Sequence, residues 1–214
     1  MSQIVLNHVG KEYKGHFVLK DVSVTFESGT VYGLIGENGA GKTVLLRLIC
    51  GLSTATEGSI ICNGKTLGKD MEFLPSCGVI IETPGFLTNR TGLDNLLYLD
   101  SLAHKPSATK VKHAMEICGL DPECKKKVSE YSLGMRQRLG IAQAIMDNPD
   151  ILILDEATNG LDKQGVRDVL EIIRRAKAQG KLIILASHHM EEIEDICDEV
   201  FQIEGMHISK CKSI

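Results

Sequence analysis

Gly36-Glu37-Asn38-Gly39-Ala40-Gly41-Lys42-Thr43 is the stretch of this 214-residue chain whose residue types and spacing speak most directly of chemistry. An apolar, strand-like run at 31–35 precedes it and a helix-like run at 44–50 follows. A strand, a glycine-rich turn and a helix in that order form a cradle for phosphate. The glycines let the backbone turn tightly and aim several N–H groups at one anion. The following helix adds its positive end at the same point. In such a loop the lysine reaches the β- and γ-phosphates and the threonine hydroxyl ligates Mg²⁺. Residues Gly36 to Thr43, with Val44, are therefore nominated to bind nucleotide. Lys42 is also a catalytic candidate and Thr43 a metal ligand.

A second group lies far along the chain. Asp155-Glu156 ends the apolar run 151–154. An acid at such a strand end can hold Mg²⁺, directly or through water. The neighbouring Glu156 is placed to orient an attacking water and take its proton. Two acids after a strand are common by themselves; the glycine loop upstream gives this pair its meaning.

Tyr131-Ser132-Leu133-Gly134-Met135-Arg136-Gln137-Arg138 precedes that strand by about one helix, and Ala157-Thr158-Asn159-Gly160-Leu161-Asp162 follows it. With these motifs in this order, the chain closely resembles the nucleotide-binding domain of ABC transporters over nearly its whole length. Ser132 and Gly134 match the family's signature motif; Leu133 and Met135 depart from the commoner glycine and glutamine. The Ser132 hydroxyl, the Gly134 N–H and the helix start still make an anion-binding end. An ordinary N-cap serine has the same geometry. The resemblance implies that this end faces the γ-phosphate bound by a second subunit.

His188, after Ser187 and the apolar run 182–186, matches the family's switch histidine; His189 stands beside it. Tyr13, among Lys11-Glu12 and Lys14-Gly15, matches the aromatic residue that stacks on adenine, and it reads equally as a surface tyrosine on an edge loop. The residues do not separate ATP from GTP; ATP is what the resemblance implies, with Mg²⁺. Glu82 stands where most members have a Mg²⁺-ligating glutamine. A glutamate ligates Mg²⁺ equally through oxygen. It adds negative charge near the phosphates, which weakens nucleotide binding or raises the Mg²⁺ requirement. The segment Ile81-Glu82-Thr83-Pro84-Gly85-Phe86, with residues 131–135, resembles the subgroup that exports or confers immunity to bacitracin and lantibiotics. Members of that subgroup are often longer at the C-terminus, whereas this chain stops soon after its last strand-like run.

These residues need particular elements to position them. Residues 4–9 and 18–26 read as half-exposed antiparallel strands, 59–62 as a strand entering the Asn63-Gly64 turn, and 78–81 as a short strand. Helical periodicity marks 94–103, 109–118 and 132–146, broken at 105–107 and 119–122. Runs 151–154 and 182–186 fit strands covered on both faces. Helices are expected over 161–178 and 190–197, and strands over 199–203 and 207–211. The expected fold is α/β: a P-loop NTPase core with a mixed, mainly parallel sheet, an antiparallel β edge subdomain and an inserted helical lobe. One domain, 1–214, is expected, with the core over 1–85 and 149–214 and the lobe over 86–148.

Composition narrows the partners. Hydrophobic residues make up 43% of the chain, enough for a sizeable core, and the net charge is −4. Trp is absent and Lys125-Lys126-Lys127 is a lone basic cluster, read as a solvated helix end, so nucleic acid is not expected. The seven cysteines form no CxxC pair, which fits reduced thiols in a cytoplasmic protein. No apolar run is long enough to cross a bilayer. A membrane role must therefore come through a partner. The resemblance implies a second ATP-binding subunit and permease subunits at the inner face of the cell membrane. The competing reading is a soluble ABC-type ATPase acting in DNA repair or translation. Those relatives carry coiled-coil insertions or two such domains, and neither is found here.

Overall fold

The runs 151–155 and 182–186 have no polar alternation, so each needs cover on both faces. The computed structural model, which describes residues 2–82, 84–103 and 105–211, buries both at every position. Thr83, quoted above with the segment 81–86, lies outside the described residues. The chain begins with β1 (Gln3–Tyr13), β2 (His16–Glu27) and β3 (Val31–Ile35), followed by α1 (Lys42–Cys50). Next come β4 (Glu57–Cys62), β5 (Lys65–Thr66) and β6 (Cys77–Ile80). Helices α2 (Gly92–Ala103) and α3 (Ala108–Ile117), a 3-10 turn at Val128–Glu130 and α4 (Leu133–Ile145) fill the stretch read as the helical lobe. The chain closes with β7 (Ile151–Asp155), α5 (Lys163–Ala178), β8 (Leu182–Ala186), α6 (Met190–Ile196), β9 (Glu199–Glu204) and β10 (His207–Lys210).

The main sheet is six-stranded in the order β10-β9-β3-β8-β7-β6. All its neighbours pair in parallel except β10, which runs antiparallel to β9. The other sheet is antiparallel, ordered β2-β1-β4-β5. Side chains alternate across the main sheet with a period of two. Ile151, Ile153, Leu182 and Ile184 join the core that α1 shares with the antiparallel sheet. Leu152, Leu154, Ile183 and Leu185 join the core made with α4, α5 and α6. Each such side chain, fully buried, contributes about 1.5–3 kcal/mol.

Three local expectations need adjustment. β1 and β2 extend beyond 4–9 and 18–26, because their ladder continues through polar residues to the pair Tyr13–His16. α5 begins at Lys163 rather than 161, since Asp162 caps it by accepting from the Gly165 N–H at 2.8 Å. The three lysines are exposed but do not end a helix; Lys127 leads into the 3-10 turn.

α4 rests directly on β6. A Cβ placed on Gly78 would lie 2.0 Å from the Ala144 carbonyl oxygen of α4, so only glycine allows this approach. Gly78→Ala is expected to destabilise the fold by about 1–3 kcal/mol or more through forced backbone shifts. Urea unfolding checks this, and a wild-type midpoint would contradict the packing.

Candidate nucleotide site

β3, β7 and β8 are parallel neighbours, so the segments leaving their C-terminal ends emerge on one edge of the sheet. β3 delivers the glycine loop, β7 delivers Asp155 and Glu156, and β8 delivers Ser187 and His188. Gly41 is the N-cap of α1 with φ 108°, a backbone state open to glycine. Having no side chain, it leaves the first N–H groups of α1 for an external anion. β2 backs this loop: a Cβ on Gly41 would lie 3.1 Å from Leu19 Cδ2. Lys42 is buried, and its Nζ donates to the carbonyls of Gly36 (2.7 Å) and Glu37 (3.1 Å). Its ammonium thus lies folded onto the loop.

Thr43 Oγ1 donates to Asp155 Oδ2 at 2.6 Å, tying the start of α1 to the end of β7. Asp155 is 3% exposed. Burial pushes its carboxyl above the usual range, and the carboxylates of Glu156 and Glu82 push the same way. The Thr43 hydrogen bond and the Lys42 charge pull against them. Ionised Asp155 therefore calls for a nearby cation. A hydroxyl and a carboxylate oxygen 2.6 Å apart are the donor set that Mg²⁺ takes from protein when phosphate and water complete its shell. Among the described residues no group of three His, Cys, Asp or Glu could hold a metal.

Glu156 sits at φ 52°, a left-handed state that costs a side-chain-bearing residue about 1–3 kcal/mol. Its Oε2 meets His188 Nδ1 at 2.8 Å. His189 instead stacks its ring over His188, with centroids 4.0 Å apart. The geometry thus distinguishes the two histidines: His188 is the one joined to the acid. The pairing engages Nδ1 of His188.

Four further candidates have their own partners or surroundings. Glu82 accepts from Arg47 Nη2 at 2.9 Å, an exposed pair that adds little stability. Tyr13 ends β1 with its ring partly exposed and Lys11 Nζ 4.8 Å from the ring centroid. Lys11 Nζ is itself anchored on the Thr54 carbonyl at 2.7 Å. Ser132 is the N-cap of α4 and accepts from the Met135 N–H at 3.2 Å. Ser132 and Gly134 line an open cavity of about 770 Å³ with Leu133, Gly160, Leu161 and Asp162. None of residues 36–44, Asp155 or His188 lines it. Within one chain the Ser132 end and the glycine loop thus do not share this cavity.

Motif reading missed Gln137. This buried amide, three residues into α4 beyond Gly134, donates through Nε2 to the carbonyls of Ala157 (2.9 Å) and Glu156 (3.4 Å). It steadies the backbone of the left-handed Glu156. The available signal was a lone amide on the apolar face of a helix.

The raised pKa of Asp155 has a stability consequence. A carboxyl raised in the folded state costs stability above its folded pKa, and that cost disappears as pH falls toward the unfolded value. Asp155→Asn is expected to raise the melting temperature of the nucleotide-free protein at pH 7, with the gain shrinking toward pH 4. The same variant should lose the extra melting stability given by Mg²⁺ with nucleotide. Thermal melts across pH check both, and a pH-independent difference would contradict the assignment.

A model of the ABC transporter family matches residues 19–159. An uncharacterized ABC transporter ATP-binding protein of Bacillus subtilis (strain 168), YybJ, is 46% identical over 194 residues, which is 91% of this chain and 88% of that protein. The bacitracin transport ATP-binding protein BcrA of Enterococcus faecalis is 39% identical over 207 residues, which is 96% of this chain and 67% of that protein. A solved structure of an ATP binding subunit of an ABC transporter superposes with a TM-score of 0.86 at 26% identity, covering 98% of this chain and 89% of the other. Fold, strand-end chemistry and sequence agree: the chain belongs to the ABC transporter family, as one of its ATPase domains.

Proposed function

We propose that this ATPase domain works as a head-to-tail homodimer that drives separate permease subunits in the export of antibiotic peptides or other amphipathic compounds. The observation that carries the dimer is the separation of the two phosphate-binding ends within one chain. A two-fold pair brings the Ser132 end of one protomer over the glycine loop of the other, and does so twice. The γ-phosphate then bridges the chains.

Residue roles follow from the geometry. Tyr13 offers its ring to the base, an interaction worth roughly 0.5–1.5 kcal/mol. The amides of residues 36–44 surround the phosphates, and Lys42 exchanges its two carbonyl partners for phosphate oxygens. Thr43 and Asp155 would hold Mg²⁺, with Glu82 able to join if it leaves Arg47. Bound there, Mg²⁺ neutralises phosphate charge and fixes the leaving group. Glu156 takes the proton of the attacking water while His188, bonded to its carboxylate, holds it in register. Ser132 and Gly134 supply donors from the partner protomer. Loss of the γ-phosphate removes the bridge, and the pair opens.

The moving parts also offer a route to another chain. α2 leaves Tyr98 52% and Leu102 67% exposed, one helical turn apart. Among the described residues no helix is long and apolar enough to cross a membrane. A permease loop seated against α2 and Glu82 would receive the motion, holding the subunit at the inner face of the membrane. The cargo class is supported by the relative named for bacitracin transport.

Glu156→Gln is expected to lower turnover about 100- to 10,000-fold while ATP affinity stays within about twofold. ATP hydrolysis and equilibrium nucleotide binding on the same preparation check this. Lost binding without a specific loss of turnover would contradict the role of Glu156. Extraction in mild detergent tests the partner: a co-purifying multi-span membrane protein supports it, whereas ribosomes or DNA would contradict it.

A further inference from the structure

Glu192 is a carboxylate on α6 with 9% exposure, outside every motif discussed above. A buried acid is costly unless donors surround it. Here the donors come from two different loops. Thr158 Oγ1 donates to Glu192 Oε2 at 2.7 Å. Ser187 Oγ donates to the same oxygen at 3.3 Å. The Ser187 hydroxyl in turn accepts from the His189 N–H at 3.0 Å. Thr158 is 3% exposed and Ser187 1%, so water competes little for these bonds.

The two donors are not arbitrary. Thr158 stands two residues after Glu156, and Ser187 stands directly before His188. One carboxylate oxygen therefore pins both segments whose next side chains meet at 2.8 Å in the Glu156–His188 pair. The left-handed backbone of Glu156 needs such support, because a strained state persists only where its surroundings over-determine it. Gln137 holds that backbone from the α4 side. Glu192 holds the segment from the α6 side.

We infer that Glu192, through Thr158 and Ser187, is a positioning residue for ATP hydrolysis, setting the register of Glu156 against His188. It touches neither nucleotide-binding loop nor metal donors, so its loss should separate turnover from binding. This inference rests on the proposed roles of Glu156 and His188.

The test uses the full chain with Glu192→Ala and Glu192→Gln. ATP hydrolysis with Mg²⁺, affinity for a fluorescent ATP analogue, thermal melting and the ¹⁵N signals of the His188 imidazole are measured. Glu192→Ala is expected to lower kcat about 10- to 100-fold, with KM and nucleotide affinity within about twofold. Its His188 signals should lose the signature of an Nδ1–carboxylate bond. Glu192→Gln keeps an amide oxygen for both hydroxyls and should restore kcat to within about threefold of wild type. Should Glu192→Ala melt below the assay temperature, Thr158→Val must show the same split in weaker form. Wild-type kcat in Glu192→Ala, an equal loss of affinity and kcat, or a Glu192→Gln enzyme as impaired as Glu192→Ala would overturn the inference. Glu156→Gln, run alongside, keeps the two readings distinct: full turnover there counts against the catalytic assignment itself, whereas a dead Glu156→Gln beside an intact Glu192→Ala counts against Glu192 alone.

Discussion

The proposed dimer rests on one constraint: a terminal phosphate needs donors on more than one side, and the glycine loop and the Ser132 end do not share a cavity. The glycine loop and the start of α1 face the anion from below, at the edge where the parallel strands end. The second set, Ser132 and Gly134 at the start of α4, opens into a different cavity. On the proposed reading this constraint connects fold to function: the strands fix the loops, the loops make half a site, and a second protomer closes it.

The same edge carries unbalanced charge. Asp155 is buried beside two other carboxylates, and Thr43 is its closest partner. A divalent cation held by Thr43 and Asp155 would relieve that imbalance. The packing passes such a change onward. α4 lies on β6 with its Ala144 carbonyl against Gly78, and Gln137 of α4 bonds the backbone at Ala157 and Glu156. A shift of the signature end therefore cannot leave the hydrolytic side chains unaffected, since packed elements move between discrete arrangements rather than deforming continuously.

Much of this was legible before any coordinates. Gly36 to Thr43 and Asp155-Glu156 declare themselves because phosphate and Mg²⁺ demand particular groups at fixed spacing. The strands at 151–155 and 182–186 were visible as unbroken apolar runs. The N-cap at Ser132 followed from the onset of helical periodicity. Other features were hidden because they depend on neighbours distant in sequence. Nothing local in Glu192 announces that Thr158 and Ser187 will converge on it. The Arg47 partner of Glu82 likewise arises only when α1 meets the end of β6. The motif order chose His188 over His189, and the hydrogen bond to Glu156 joins that same histidine to the acid.

The half-site claim is tested most directly by turnover per molecule across a wide dilution series, with molar mass measured by sedimentation at each concentration. The account predicts that specific ATP hydrolysis falls in step with the dimer fraction and vanishes in the monomer. A constant rate per chain, sustained by protein that sediments as a monomer, would contradict it.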